Sequence, residues 1–192
     1  MPKANGQRLN ERREAVTNPP SSSAAIVARI LEGYCLPVRG MHGILHWGRV
    51  HENGRILAER LGADAEIVAL FALFHDARRA NENRDPGHGL RGAELARSLR
   101  GTLVHVDDRR FGLFYEACRL HTDGLTTGEV SLQVCWDADR LDLGRVGIRP
   151  DPRRLCTDAA REMLPAAHRR ALEDWEPAIV TGEWGVGRQS QQ

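Results

Sequence analysis

The sequence contains little of the material that several large classes of protein require. Aromatic residues make up only 5% of the 192 residues, so a stacking surface for single-stranded nucleic acid has few possible members. The 27 basic residues are balanced by 26 acidic ones, and no global charge selects a polyanion. Basic stretches also contain acids, as in ARRANENRD, which disfavours specific binding of duplex DNA or RNA.

Cysteine and long apolar runs are also scarce. The four cysteines form no C-x-x-C pair, which predicts reduced thiols in place of a disulfide framework or a zinc ribbon. The longest strictly apolar run, Ile67 to Phe74, is too short to cross a bilayer. The polar N-terminus lacks the apolar core of a signal peptide. We therefore expect a soluble cytoplasmic protein without membrane association, and the oligomeric state stays open.

Apolar residues recur at three-to-four spacing, and strand-like alternation does not persist anywhere, so the pattern predicts an all-α fold with one domain over 23–175. Residues 1–22, which include TNPPSSS, are predicted to form a disordered arm, and residues 176–192 a C-terminal tail. Ser23 and Asp64 are predicted helix caps. The predicted helices are Ala24 to about Cys35, Ile44 to Leu61, Ala65 to Arg79, His88 to Leu99, Asp108 to His121, Ser131 to about Leu143 and Thr157 to about Trp175.

The dipeptide His75-Asp76 stands at the end of the most apolar predicted helix, IVALFALF. Burying an ionisable pair costs free energy unless the pair is compensated or binds a metal. Adjacent residues on a helix point about 100° apart, so both side chains reach one ion only at a helix end or a kink. The loop ANENRDPGHG, which follows shortly afterwards, provides that freedom. Imidazole and carboxylate donors predict Mn, Fe, Co, Ni or Zn as the ion.

Further ligands must come from other helices. His46, in HGILHWGRV, would lie beside His75 if the two helices are antiparallel neighbours. In CWDADRLDLG, Asp139 and Asp142 share a helix face, whereas Asp137 points elsewhere.

Two more histidines stand at helix ends, where side chains can reach into a cleft. His88 begins a predicted helix in DPGHGLRG, and His121 ends one in CRLHTDG. The remaining histidines are interpreted as packed or surface residues: His42, His51, His105 and His168.

The order H…HD…D resembles the HD-domain superfamily of metal-dependent phosphohydrolases, over about two thirds of the chain from Ala24 to Gly147. HGILHWGRV resembles the segment with the first ligand, LFALFHDARR the central helix, and WDADRLD the segment with the last ligand. The resemblance implies an all-helical bundle around a metal. Asp139 is preferred over Asp137 because it follows a small residue and precedes Arg-Leu. The implied ligands are His46, His75, Asp76 and Asp139.

Some members of this superfamily bind two metals, and His88 and His121 stand where the additional histidines would be. In single-metal members the same positions face the substrate phosphate, so the resemblance leaves one or two ions open. ACRLHTDG is similar to a segment of HD hydrolases that split dinucleoside tetraphosphates. The acidic pair of stringent-response hydrolases is replaced by Arg79 and Ala80, which argues against ppGpp hydrolysis. The Gly-Tyr-Pro signature of cyclic-di-GMP phosphodiesterases is absent.

The sequence therefore predicts hydrolysis of a phosphate ester or anhydride, with a small nucleotide or a related phosphorylated molecule as the substrate. A bound divalent ion would lower the pKa of its water from about 16 towards about 7 and so supply the nucleophile. Arg78, Arg79 and Arg84 are candidates to bind phosphate oxygens, and Glu82 and Asp85 to orient water or a sugar hydroxyl. One alternative is a non-catalytic sensor that binds metal or nucleotide, and another is a structural module without a metal.

Overall fold

The computed structural model describes residues 22–187, so the predicted arm, apart from Ser22, and the last five residues lie outside the described part. Within that part the chain forms α-helices and two short 3-10 turns, with an isolated bridge but no strand, which confirms the all-α prediction. The helices are α1 (Ser23–Leu31), α2 (Ile44–Leu61), α3 (Ala65–Phe74), α4 (His88–Ser98), α5 (Asp108–Leu120), α6 (Val130–Arg140), α7 (Asp158–Leu172) and α8 (Ala178–Thr181), and the 3-10 turns are Leu143–Val146 and Pro152–Arg154.

Capping chemistry sets several helix boundaries. The Asp64 side chain accepts hydrogen bonds from two backbone N–H groups in the first turn of α3, as predicted. Gly62 ends α2 in the left-handed conformation, with φ of 69°, which favours glycine. The cap of α1 is Ser22, so the prediction of Ser23 was wrong by one residue.

Helix α3 ends earlier than the apolar pattern predicts. The prediction extended it to Arg79, but regular helical bonding stops near His75, whose N–H donates to Phe71 O at 3.0 Å. The next turns are tighter, since Ala77 N donates to Phe74 O at 3.2 Å. His75 and Asp76 therefore lie in a turn, where adjacent side chains can face a common point.

Helix α3 forms the centre of the bundle. Its residues from Ile67 to Phe74 are buried except for the half-buried Ala69. Helices α2, α4, α5 and α6 all pack against it. Because α3 is buried on all sides, the residues that follow its last turn also lie in the interior. These residues are His75 and Asp76.

Two glycines of α4 allow this helix to approach its neighbours closely. A Cβ at Gly92 would lie 2.0 Å from Phe74 O, and one at Gly89 would lie 2.2 Å from Cys118 O. Both obstacles are backbone atoms, so a larger residue would force the helices apart. The close contact holds His88, the first residue of α4, against the ends of α3 and α5.

The segment after Trp175, predicted as a tail, is described up to residue 187. It contains α8 and buries Val180 and Trp184 against the core. The four cysteines are free, which agrees with the prediction of reduced thiols. No described helix has the length and hydrophobicity that a membrane span requires.

The glycine contact generates a stability prediction. Gly92→Ala should lower the free energy of unfolding by about 1–3 kcal/mol, because the new methyl group overpacks against the Phe74 carbonyl. Gly112→Ala is the matched control. Gly112 is exposed on α5, and a methyl group added to it would meet open space, so alanine there should stabilise by about 0.5–1 kcal/mol. Urea unfolding checks both variants, and equal effects would contradict the packing argument.

Candidate metal centre

Six ionisable side chains from different parts of the bundle meet in its interior. They come from α2, from the turn after α3, from the start of α4, from the residue after α5 and from α6. All are buried except the last, whose side chain is 15% exposed. In chain order they are His46, His75, Asp76, His88, His121 and Asp139.

The first cluster consists of His46, His75, Asp76 and Asp139. His46 Nε2 lies 3.0 Å from His75 Nε2, 3.6 Å from Asp76 Oδ2 and 3.5 Å from Asp139 Oδ1. His75 Nε2 lies 3.9 Å from the same two carboxylate oxygens. The ligand atoms of His46, His75 and Asp76 lie close enough together for a single divalent ion, and Asp139 lies beside the two nitrogens.

The second cluster consists of Asp76, His88 and His121. Asp76 Oδ1 lies 3.1 Å from His88 Nε2 and 3.9 Å from His121 Nε2, and these two nitrogens are 2.9 Å apart. Asp76 directs one carboxylate oxygen to each cluster. This arrangement is suited to a carboxylate shared by two ions.

Each imidazole in the two clusters has its Nδ1 next to an oxygen acceptor. Carbonyl and ionised carboxylate oxygens only accept, so Nδ1 carries the proton and a neutral ring presents an unprotonated Nε2 to the cluster. The contacts are His46 Nδ1 to Asp142 Oδ2 at 2.8 Å, His75 Nδ1 to Phe71 O at 3.1 Å, His88 Nδ1 to Asp85 O at 2.7 Å and His121 Nδ1 to Cys118 O at 2.7 Å.

With these tautomers, the short Nε2–Nε2 contacts indicate a metal site. Two nitrogens without hydrogen cannot bond to each other at 3.0 Å, whereas a cation between them satisfies both lone pairs. Asp76 Oδ1 is also buried without a well-aligned donor. The argument for a metal ion is stronger at the first cluster than at the second. In the second cluster Arg79 Nη1 lies 3.2 Å from His88 Nε2 and can donate a hydrogen bond to it, so that nitrogen has a partner without a metal.

The protonation states also fit a metal site. Burial holds the pKa of His46 well below its usual value and lowers that of His121 to about 4. Burial by itself raises the pKa of Asp76, and positive charge at the neighbouring histidines, or a cation held between them, is what lowers it well below its usual range. Neutral imidazoles and an ionised carboxylate are the forms that bind metal.

The structure separates the two candidate aspartates of α6. Asp139 lies beside His46, as described above. Asp137 accepts hydrogen bonds from the backbone N–H of Cys156 at 2.6 Å and from the backbone N–H and hydroxyl of Thr157 at 2.9 and 2.8 Å. Asp137 therefore anchors the start of α7 and is not part of either cluster.

The three arginine candidates have different surroundings. Arg79 is buried, and its Nη1 lies 3.6 Å from Asp76 Oδ1, so it borders the second cluster. Arg78 donates to Ile30 O at 3.0 Å and thereby links the turn to α1. Arg84 is exposed. Among residues 22–187, Arg79 is thus the only one of the three arginines that contacts a cluster residue.

The two acidic candidates also differ. Glu82 Oε2 is buried without a hydrogen-bond donor and lies 3.8 Å from His42 Nε2. Asp85 Oδ2 accepts hydrogen bonds from Ala80 N at 2.7 Å and Arg91 Nη2 at 2.6 Å. Asp85 therefore stabilises its loop, whereas Glu82 faces the region beside Asp76.

Sequence reasoning missed three residues around the clusters. His42, interpreted as packed or surface, places Nδ1 2.9 Å from Asp76 Oδ2. Asp142 binds His46 Nδ1, and Arg145 Nη1 lies 4.0 Å from Asp139 Oδ1. The spacing held a signal for Asp142, which follows Asp139 by three residues, but not for His42, which lies in the turn before α2.

The other three histidines are not members of either cluster, in agreement with their interpretation: His51, His105 and His168.

A cavity of about 270 Å³ meets both clusters. Its wall includes His121 of the second cluster and Asp139 of the first. The segment from Pro150 to Leu155 closes its other side. A small molecule in this cavity would touch ligand residues of both clusters at once.

Comparison with known proteins gives one informative likeness. No protein-family model and no curated protein matches the chain. A solved structure described as a predicted HD superfamily hydrolase, from an uncultured Thermotogales bacterium, is similar with a TM-score of 0.58 and 27% sequence identity. The likeness covers 79% of this chain and 86% of that one.

The shared carboxylate generates a prediction about metal content. Asp76→Ala should remove every tightly bound transition-metal ion, because both clusters lose a ligand. His51→Ala is the matched control, since His51 packs near the Trp184 ring, and it should keep the wild-type content. Elemental analysis after dialysis measures both, with circular dichroism to confirm folding. Full metal content in Asp76→Ala would mean that the site has been misplaced.

Replacing His88 and His121 together separates one ion from two. If both ligate, the double alanine variant should lose about one ion per chain and keep the first, whose ligands His46 and His75 are intact. If they contact substrate, the metal content should stay constant and the Michaelis constant should rise. Elemental analysis and steady-state kinetics on the same preparation distinguish the two outcomes, and an unchanged metal content would exclude the dinuclear arrangement.

Proposed function

We propose that this chain, which has the fold of the HD-domain superfamily, is a metal-dependent hydrolase of phosphate esters or anhydrides. The observation that carries the proposal is the pair of unprotonated nitrogens of His46 and His75, 3.0 Å apart beside oxygens of Asp76 and Asp139. The Thermotogales protein, described as a predicted hydrolase of the same superfamily, supports the same class of reaction.

The ligand assignment follows the two clusters. We propose that the first ion is held by the four predicted ligands and that a second can be held by His88, His121 and the shared Asp76. Nitrogen and carboxylate donors favour Mn, Fe, Co, Ni or Zn over Ca. When bound, such an ion activates water and stabilises charge on a phosphoryl oxygen.

Other residues of the chain orient the site. Asp142 accepts the Nδ1 proton of His46 and so keeps Nε2 directed at the cluster. Arg79 borders the second cluster and can bind phosphate oxygens through two N–H groups. Glu82, with its unpartnered buried oxygen near His42, stays our candidate for orienting water.

A small nucleotide is our proposed substrate. The cavity of about 270 Å³ lies at the lower end of the volumes typical of small-molecule sites, so a compact ligand fits it better than a polymer. The absence of specific duplex binding and the cytoplasmic location stay predictions from the sequence.

The alternative is a sensor that binds metal or nucleotide without turnover. Asp139 is the most exposed of the proposed ligands and lies in the wall of the cavity, so a substrate could reach the first ion directly. This access favours the enzyme.

Comparing the two aspartates of α6 tests the function. Wild-type protein with Mn or Co should release phosphate from p-nitrophenyl phosphate or a nucleotide. Asp139→Asn should lower kcat/KM at least about 100-fold. Replacing residues that only support metal ligands already lowers metal affinity or activity by about 10–100-fold, and Asp139 is a proposed ligand itself. Asp137→Asn should instead lower the free energy of unfolding by about 1–3 kcal/mol, through weakened bonds to Cys156 and Thr157, and keep the activity of the folded fraction.

One result would contradict the proposed enzymatic activity. The protein would bind its full complement of metal but release no phosphate from any of a panel of nucleoside mono-, di- and triphosphates. The sensor would then be the better interpretation. Full activity in Asp139→Asn would leave the hydrolase standing but remove this ligand assignment.

A further inference from the structure

The cavity at the two clusters has walls of different chemistry. Its inner wall contains the buried His121 and the partly buried Asp139, which are both candidate ligands. Its other wall contains the apolar side chains of Leu143, Pro150 and Leu155 and the exposed Arg154. Asp151 also lines this wall, and its carboxylate is bound by Arg153. A guanidinium at the solvent side of a mostly apolar wall would contact the part of a substrate that lies away from the metal.

Arg154 differs from its neighbour Arg153 in having no acidic partner within hydrogen-bond distance. Arg153 donates to the Asp151 carboxylate from Nε at 3.1 Å and from Nη2 at 2.8 Å. Among residues 22–187, no ion pair within 4.0 Å and no side-chain hydrogen bond engages the guanidinium of Arg154, although the Asp151 carboxylate lies near enough to attract it. Its N–H donors are therefore available to a ligand.

The backbone that carries Arg154 is fixed by a second arginine. Arg140 Nη1 donates to Arg154 O at 2.8 Å, and Arg140 Nη2 donates to Leu125 O at 2.7 Å. The Arg140 guanidinium thus links two loops around the cavity. Because Arg140 directly follows Asp139, it also fixes Arg154 relative to the first cluster. Such preorganisation lowers the free-energy cost of binding.

We infer that Arg154 binds a second anionic group of the substrate while the scissile phosphate lies at the metal clusters. The inference rests on the proposed function and narrows its substrate class. The substrate would be a compact phosphate ester whose leaving group carries another phosphate, such as a nucleoside bisphosphate. Arginine suits this role because its planar fork makes two parallel hydrogen bonds to a phosphate.

The proposed reaction on such a molecule is a simple hydrolysis. The oxygen of one water molecule forms a bond to the phosphorus at the clusters, and the bond from that phosphorus to the ester oxygen breaks. A proton from the water goes to the departing ester oxygen. The products are inorganic phosphate and an alcohol, and the alcohol keeps its second phosphate at Arg154.

The test compares adenosine 3′,5′-bisphosphate with adenosine 5′-monophosphate, which differ by one phosphate, and with p-nitrophenyl phosphate. Arg154→Ala should lower kcat/KM for the bisphosphate about tenfold or more, chiefly through KM, because a charge-assisted hydrogen bond is lost. The two monophosphates should change less than about twofold. Arg154→Lys should lose less than Arg154→Ala, because it keeps the charge. Arg153→Ala is the matched control and should behave as wild type.

The possible outcomes distinguish a failure of the role inferred for Arg154 from a failure of the proposed function. Three results would overturn the role of Arg154 and leave the proposed hydrolase activity intact. They are an equal loss of kcat/KM on all three substrates in Arg154→Ala, the same loss in Arg153→Ala, and a wild-type protein without a preference for the bisphosphate. Metal-loaded wild-type protein that hydrolyses none of the three would count against the hydrolase itself, and the inference would fall with it.

Discussion

The carboxylate of Asp76 lies beyond the end of the most apolar helix of the chain, where it is only 2% exposed. An ionised carboxylate in such a place is tolerated only when donors or cations surround it. His42 Nδ1 lies 2.9 Å from one oxygen and can donate to it, whereas the nitrogen 3.1 Å from the other oxygen is the unprotonated Nε2 of His88. Arg79 Nη1 lies 3.6 Å from the second oxygen, and the other neighbours are unprotonated nitrogens of cluster histidines, which can compensate the charge only by holding a cation. The need to compensate this charge therefore links the packing of the core to metal binding.

The ends of the helices supply much of what the clusters need. Carbonyl oxygens in the last turn of a helix can accept side-chain donors, and two of them accept hydrogen bonds from the Nδ1 atoms of cluster histidines. His75 donates to Phe71 O in the last turn of α3, and His121 donates to Cys118 O in the last turn of α5. The same geometry that satisfies the backbone fixes each ring with Nε2 towards Asp76. Early termination of α3 is therefore part of the site and not a defect of the helix.

The helical class and the order of candidate ligands could be predicted because both are one-dimensional patterns of spacing and residue type. The surroundings of each candidate could not. His42 was grouped with packed or surface histidines, since it reaches Asp76 from the turn before α2, and the position of that turn depends on how α2 packs against α3. Arg78 and Arg79 are adjacent, yet one contacts α1 and the other borders a cluster. That choice depends on backbone angles in a turn, which residue types do not determine.

Charge balance explains why a site of this composition would bind an anion. The three aspartates around the clusters each lie within 4.0 Å of a guanidinium, which leaves Glu82 as the one nearby acid in our account without such a partner. The pairs are Asp76 with Arg79, Asp139 with Arg145 and Asp142 with Arg49. Each divalent ion then adds two positive charges, and Glu82 can offset at most one of the total, in surroundings where burial strengthens electrostatic interactions. An anionic ligand would offset the excess, and with two ions a single phosphate dianion would offset only part of it. A substrate with a second phosphate near Arg154 would bring the whole site closer to neutrality than a monophosphate could.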